Sequence, residues 1–213
     1  MPALTRTACK TRARFQLNEP TARFYTEVAL NDWCNDAVRD VSLRTFCYQI
    51  ICTAIATVNG TMEYDYPVTF NTSAIATIGV KTVINSANVS LAYISQDLIG
   101  KAGEIKNELK WTDWGRSILI TPVPTAAYTL KMLVWAEARQ TAAGDLTLPN
   151  IYHHLVPLYM TYKGHEAKRN FVLADKVFKE YEDELMRILQ LLHGKDNPSG
   201  NLKPGTPVQV VSS

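Results

Sequence analysis

TEVALNDWCNDAVRDVSLRT, residues 26–45, decides the fold because it predicts a helix with two distinct faces. At about 3.6 residues per turn, its apolar side chains share one face. These are Leu30, Trp33, Cys34, Ala37, Val38 and Val41. The opposite face carries Asn31, Asp32, Asn35, Asp36, Arg39 and Asp40. Thr26 is a suitable N-cap, since its hydroxyl can accept from an amide of the first turn. The apolar face needs a partner elsewhere in the chain.

The matching apolar faces occur near the end of the chain. Leu148-Pro149 predicts the start of one helix, and Pro157 predicts a kink within it. A second helix is predicted from Glu166 to His193. Its apolar positions recur at helical spacing and include Phe171, Ala174, Phe178, Tyr181, Leu185, Ile188, Leu189 and Leu192. We expect Trp33 to pack against these two helices, with Phe178 and Tyr181 as further core anchors.

Between these helices the period changes to that of strands. Gln49–Val58 and Thr61–Tyr66 flank Asn59-Gly60, which favours a tight hairpin. Further strands are predicted at residues 78–84, 89–94, 117–121 and 128–136, and a short helix within 95–109. The strand at 128–136 follows a Pro-Val-Pro turn as the partner of 117–121, and its two apolar faces predict a central position.

These elements predict an α+β fold: a helical bundle from both chain ends, with a small antiparallel β-sheet inserted and an extended C-terminal arm. Residues 1–11 are predicted as a basic N-terminal arm, and 12–193 as a single domain. Within that domain, helices occupy 12–45 and 148–193, and the β region occupies 46–147. Residues 194–213 form the predicted C-terminal arm.

The composition is that of a globular protein, with 20% charged and 46% hydrophobic residues among 213 and a net charge of +2. The four cysteines have neither metal-ligand nor disulfide-framework spacing, so free thiols in a reducing cytosol are expected. The opening residues lack the apolar segment of a signal peptide, and no apolar run reaches the length of a membrane span. No membrane association is therefore expected.

The C-terminal stretch KDNPSGNLKPGTPVQVVSS, residues 195–213, is too rich in Pro, Gly and Ser to build a core. It ends with an alternating apolar fragment that contains Val208, Val210 and Val211. Two interpretations follow: a disordered terminus, or a segment that becomes ordered on a partner.

Catalytic motifs are absent from the sequence. There is no nucleophile elbow, P-loop, zinc-protease motif or Gly-rich dinucleotide turn. His153 and His154 are adjacent and so point in different directions on a helix, which is poor geometry for metal ligation. Asp32 and Asp36 flank Cys34 and would raise its pKa. We therefore expect no enzyme activity, metal site or cofactor.

Four segments, in this order, resemble the head-to-tail adaptor (connector) proteins of tailed bacteriophages. They are RARFQLNE at 12–19 followed by the helix of 26–45, EYDYP at 63–67, WGRSILITPVPTAAYTL at 114–130, and LPNIYHHLVPLY at 148–159. The resemblance covers about residues 12–193.

The resemblance implies a structural virion protein at the head-tail junction, made in the host cytoplasm. Adaptors of this kind form a ring, usually of twelve copies, beneath the portal protein. The ring extends the channel for double-stranded DNA and docks a tail or neck protein. In such families a C-terminal arm often grips the portal, a role that would fall here to Leu202, Val208, Val210 and Val211. Sequence-independent phosphate contacts would fall to Arg6, Lys10, Arg12 and Arg14. The alternative is a small nucleic-acid-binding module, or an enzyme with an unrecognised site.

Overall fold

The computed structural model describes residues 3–19, 23–66, 76–99, 108–138 and 144–196. Within these ranges the chain forms four α-helices and seven β-strands, which confirms the α+β prediction. The chain divides into two compact units. One is the helical unit, Met1–Tyr48 with Ala138–Ser213, and the other is the β unit, Gln49–Glu137.

The first helix, α1, spans Arg6–Gln16. Its N-cap is Thr5, whose hydroxyl accepts from the amide of Ala8 at 3.1 Å. The helix thus starts at Arg6 rather than at Arg12, and residues 6–11, predicted as an arm, are its first half. Cys9 and Ala13 are fully buried on its inner face.

The second helix, α2, spans Glu27–Thr45. The predicted cap is confirmed, because the Thr26 hydroxyl accepts from the amide of Ala29 at 3.1 Å. Phe46 has a left-handed backbone, with φ of 50°, and ends the helix. The predicted inner face is fully buried at Leu30, Cys34, Ala37, Val38 and Val41, whereas Trp33 is half-buried beside this core.

The last two helices are α3, Leu155–Ala167, and α4, Phe171–Asp196. The break between them falls later than predicted, at Arg169, whose φ is 57°. The Asn170 side chain then accepts from the Leu173 amide at 3.3 Å. Pro157 lies in the first turn of α3, where no intrahelical amide partner is required, rather than at an interior kink.

The β unit contains two sheets. The first has the order β1-β7-β3, from Gln49–Ala56, Thr129–Ala136 and Thr77–Ile84. The second has the order β2-β6-β5-β4, from Glu63–Asp65, Ser117–Thr121, Lys110–Trp114 and Ala92–Tyr93. All described strand pairs are antiparallel except β4 with β5. The strand β7 is central between β1 and β3, as its two apolar faces predict.

Two predicted pairings are wrong. The turn at Asn59-Gly60 forms, with Gly60 at φ of 80° and the Thr61 amide donating to the Val58 carbonyl at 3.1 Å. The flanking strands nevertheless separate: β1 pairs with β7, and β2 pairs with β6. Likewise β6 does not pair with β7. The predicted helix within 95–109 is a 3-10 turn at Gln96–Leu98, and residues 100–107 lie outside the described ranges.

Close packing in the helical unit depends on Gly164 in α3. A Cβ atom at this position would overlap the side chain of Leu17, which is 5% exposed. The Gly164 carbonyl also accepts from the Tyr25 hydroxyl at 2.8 Å. Gly164 therefore lets the segment after α1 approach the backbone of α3.

Gly164→Ala should destabilise the protein although alanine is the better helix former. The overlap with Leu17 should cost about 1–3 kcal/mol, more than the gain of about 1 kcal/mol in helix propensity. In a Leu17→Ala background the same substitution should stabilise by about 0.5–1 kcal/mol, because the obstructing side chain is gone. Urea denaturation of the four variants measures both effects. An equal effect in both backgrounds would contradict the packing argument.

Candidate assembly surfaces

The basic residues of α1 are divided between two faces. Lys10 and Arg14 point toward the start of α2, where both bind the carboxylate of Glu27, at 2.6 Å and 3.0 Å. Arg14 also donates to the Tyr25 carbonyl at 3.0 Å, and its side chain is only 8% exposed. The Glu27 pKa is lowered, first by the Lys10 hydrogen bond and then by Arg14. These two cations therefore hold the corner between α1 and α2.

A single carboxylate organises the same corner. Glu19 Oε1 accepts from the backbone amides of Arg23, Phe24 and Tyr25 at 2.9, 2.6 and 2.9 Å. Arg14 and Lys168 supply compensating charge at 3.7 and 3.8 Å. Burial acts to raise the Glu19 pKa, but the three amides and the charge of Lys168 lower it overall. Glu19 thus forms an internal anion site that fixes the turn before α2.

The four predicted phosphate contacts therefore lie in different surroundings. Arg14 is buried and Lys10 is ion-paired within the chain. Arg6 is half-buried, and Arg12 is exposed on the outer face of α1. The structure does not gather the four into one basic patch.

Of the predicted core anchors, Tyr181 links α4 to α2. Tyr181 is fully buried and its hydroxyl donates to Asp40 Oδ2 at 2.5 Å. Burial raises the pKa of Tyr181, and the Asp40 carboxylate adds to this effect. Phe178 is 36% exposed and stacks on Tyr181, with ring centroids 6.0 Å apart. Trp33 makes an edge contact with Tyr25 at 5.5 Å. Of the three anchors, Tyr181 alone is fully buried.

A concave surface of the helical unit lies beside α3, with α1 on one side and α4 on the other. We call it the trough. It consists of two adjoining grooves of about 540 and 500 Å³ that share His154 and Leu158. The α1 side is lined by Thr11, Arg12, Phe15 and Gln16, and the α4 side by Lys176, Lys179, Glu180, Asp183, Glu184 and Arg187. Phe15 is 80% exposed at its rim.

Ion pairs order one wall of the trough. Glu184 Oε1 lies 2.8 Å from His154 Nε2, and Arg187 binds both oxygens of the same carboxylate. Hydrogen bonds from Arg187, the larger effect, and from His154 together lower the Glu184 pKa to about 2, against the effect of burial. These contacts fix the α4 wall against α3.

The cysteines and His153 occupy buried positions in the described ranges. In those ranges no group of three His, Cys, Asp or Glu side chains is placed to hold a metal ion. All four cysteines are buried, and burial raises the pKa of Cys9 to about 12 and of Cys34 to about 11. His153 is buried and has a structural role. Its Nδ1 accepts from the Leu4 amide at 2.8 Å, and its Nε2 donates to the Leu148 carbonyl at 2.7 Å. The arrangement is suited to packing and docking.

The family is decided by the sequence as a whole. A family model described as SU10 adaptor protein matches residues 5–205. The chain belongs to this family. It is a phage head-tail adaptor family, so the resemblance seen in the sequence is confirmed. No curated protein gives a significant match to this adaptor.

Two further features concern the predicted sites of the adaptor. No helix in the described residues has both the length and the hydropathy required to span a membrane. The predicted portal-binding residues Leu202, Val208, Val210 and Val211 lie outside the described residues.

Sequence reasoning missed Glu19 and the trough. Glu19 carried a weak signal, as the one acidic residue among five basic ones in the first 25 positions.

Arg14→Met should lower the free energy of unfolding by about 3 kcal/mol, because it removes a buried cation 3.7 Å from the buried Glu19 carboxylate and the donor to the Tyr25 carbonyl. Arg12→Met is the matched control. Since Arg12 is exposed, its replacement should change stability by less than about 0.5 kcal/mol. Urea denaturation at pH 7 measures both variants. Equal stability of the two would show that Arg14 is a surface group.

The loss of stability caused by Glu19→Gln should become smaller in acid. The native pKa of Glu19 is below its unfolded value, so the charged carboxylate adds stability above about pH 4.3. That contribution is lost as the pH falls through the lower native pKa. The stability difference between wild type and Glu19→Gln should thus shrink from pH 7 to pH 3, as followed by denaturation in each buffer. Asp97→Asn, at an exposed position of the β unit, is the control, and a difference that stays constant with pH would refute the role of charge.

Proposed function

We propose that this adaptor is a structural virion protein that forms a ring of twelve copies beneath the portal, without enzymatic activity. The ring would extend the DNA channel and dock a tail or neck protein. The family match over residues 5–205 carries this proposal, because it includes the whole described helical unit apart from its first residues. The buried thiols and the structural His153 support a packing role for groups that catalysis would need exposed.

Exposed apolar side chains on the helices support assembly into a ring. Phe15 and Val172 are each 80% exposed, and Val28 is 69% exposed. Exposed apolar residues indicate a surface that becomes buried between subunits where they are contiguous. Phe171, Val172 and Leu173 are consecutive at the start of α4, with 59%, 80% and 40% exposure. In the proposed ring they face neighbouring copies or the adjoining virion proteins.

Passage of DNA requires contacts that are weak and indifferent to sequence. Contacts with phosphates meet both conditions, because they are screened by salt and carry no base information. Arg12 lines the α1 side of the trough, and Lys10 and Arg14 bind Glu27, so α1 offers few cations to a passing phosphate. The ion pairs of Lys10 and Arg14 with Glu27 reduce the positive charge that α1 presents, which agrees with weak binding.

Attachment to the portal is assigned to the C-terminal arm. The helix α4 continues to Asp196, so the arm starts at residue 197 rather than at 194. Its prolines reduce the entropy that is lost when the arm binds, and its valines can bury alternate side chains against the portal. Each fully buried valine contributes about 1.5 kcal/mol, a gain that a ring would multiply through avidity.

The decisive experiment is cryo-electron microscopy of purified virions, which should show the chain as a ring at the neck. A chain found only in infected cytoplasm, where it is made, would refute the proposed function. Its ring of copies should surround the channel directly under the portal.

Removal of residues 197–213 should abolish stable attachment to the portal while changing the melting temperature by no more than about 2 °C, because the arm contributes no core of its own. Pull-down with purified portal protein and calorimetry measure the two effects. Val208→Asp with Val210→Asp should also prevent attachment, whereas Ser212→Asp with Ser213→Asp, which adds the same charge, should not. Full attachment of the truncated chain would remove the arm from the interface.

A further inference from the structure

Neighbouring helices cover some sides of α3 and leave a concave surface beside it. The helix α3 packs against α1, α2 and α4. His154, which precedes α3, and Leu158 of α3 lie in the trough between α1 and α4. The trough is therefore a concave surface beside α3 on which another part of a protein could dock.

The outer face of α2 has the properties of such a helix. Val28, Asp32, Asp36, Arg39 and Leu43 recur every three or four positions and form one stripe, which we call the α2 stripe. All five residues are exposed, with Val28 at 69% and Leu43 at 38%. The α2 stripe lies opposite the buried face of Leu30, Cys34, Ala37, Val38 and Val41. An apolar residue near each end thus brackets three charged ones.

The charges of the two surfaces are complementary. The α2 stripe carries two carboxylates and one guanidinium, and is acidic overall. The trough presents Lys176 and Lys179 on α4 and Arg12 on α1, together with the carboxylates of Glu180 and Asp183. It is therefore basic overall once Glu184 is counted with Arg187, its partner. Phe15 on α1 and Leu158 on α3 give the trough an apolar patch, which one apolar end of the α2 stripe can cover.

We propose that the α2 stripe of one copy docks in the trough of the next copy. This inference rests on the proposed ring and names the two surfaces that join its subunits. A second copy is the favoured occupant because both complementary surfaces belong to this one chain. They also belong to different sides of the bundle, since α2 occupies one side of α3 and the trough another. Two different surfaces that match each other give head-to-tail contacts, which close into a ring when the rotation between successive copies allows it.

A symmetric contact is disfavoured by the same charges. Pairing the α2 stripe with itself would bring Asp32 and Asp36 of both copies together. Pairing two troughs would bring Lys176 and Lys179 together and leave the concave floor unfilled. Like charges at a desolvated contact are destabilising. The head-to-tail arrangement is the one that brings opposite charges together.

The test uses two charge reversals on the full chain. Asp32→Lys with Asp36→Lys reverses the α2 stripe, and Lys176→Glu with Lys179→Glu reverses the trough. Sedimentation velocity over a wide concentration range should show self-association of the wild type, and at least a tenfold weakening for each variant alone. An equimolar mixture should restore association, because each reversed surface then meets its complement on the other variant.

A control separates this interface from general charge effects. Asp65→Lys with Asp97→Lys alters the net charge as much as reversal of the α2 stripe does, at exposed positions of the β unit, and should leave association unchanged. Circular dichroism confirms that each variant is folded. The inference is overturned if the wild type stays monomeric at every concentration, if either reversal has no effect, or if mixing fails to restore association. A ring seen in virions alongside any of these results would preserve the adaptor function and reject only this interface.

Discussion

The fold of the helical unit depends on the hydrogen bonds and opposite charges that surround one buried carboxylate, that of Glu19. The Glu19 carboxylate accepts hydrogen bonds from the amides of three consecutive residues and lies beside two cations. The turn after α1 therefore has a fixed shape. A charge at such a site is tolerated because hydrogen bonds and opposite charges replace its lost hydration. This turn also places Tyr25 against the Gly164 carbonyl and Thr26 at the start of α2. Glu19 thus connects the turn with Arg14 of α1 and with Lys168 at the end of α3.

The local elements were predictable from sequence where a local pattern determines them. The two-faced helix, its Thr26 cap, the strand at Ser117–Thr121 and the central position of β7 all follow from periodicity or from a capping side chain. Strand pairing was not predictable in this way. Asn59-Gly60 specifies a turn, but the strand that each flanking segment joins is decided by distant residues. Periodicity identifies a strand without identifying its neighbour.

The candidate surfaces were harder to predict for a related reason. The basic side chains of α1 look alike in sequence, yet Arg14 is inside and Arg12 is outside, because the helix begins at Arg6 and fixes which side faces α2. The trough combines residues from three helices that are far apart in the chain. In the sequence its charged residues look like those of an ordinary solvated helix face, because the sequence does not show that α3 lies beneath them. Sequence indicates which residues share a helix face, and only the packed helices show which faces form one surface.

The pairing of β1 with β7 has a consequence for the order of folding. The two parts of the helical unit are separated along the chain by Gln49–Glu137, and closing an unstructured loop of that length costs about 4 kcal/mol of chain entropy. Gln49 pairs with Trp135, so the first and last strands of the β unit are neighbours. Once those strands have paired, the two connections leave the sheet side by side, and α2 and α3 meet as though a short link joined them. Early formation of the sheet would therefore accelerate assembly of the bundle.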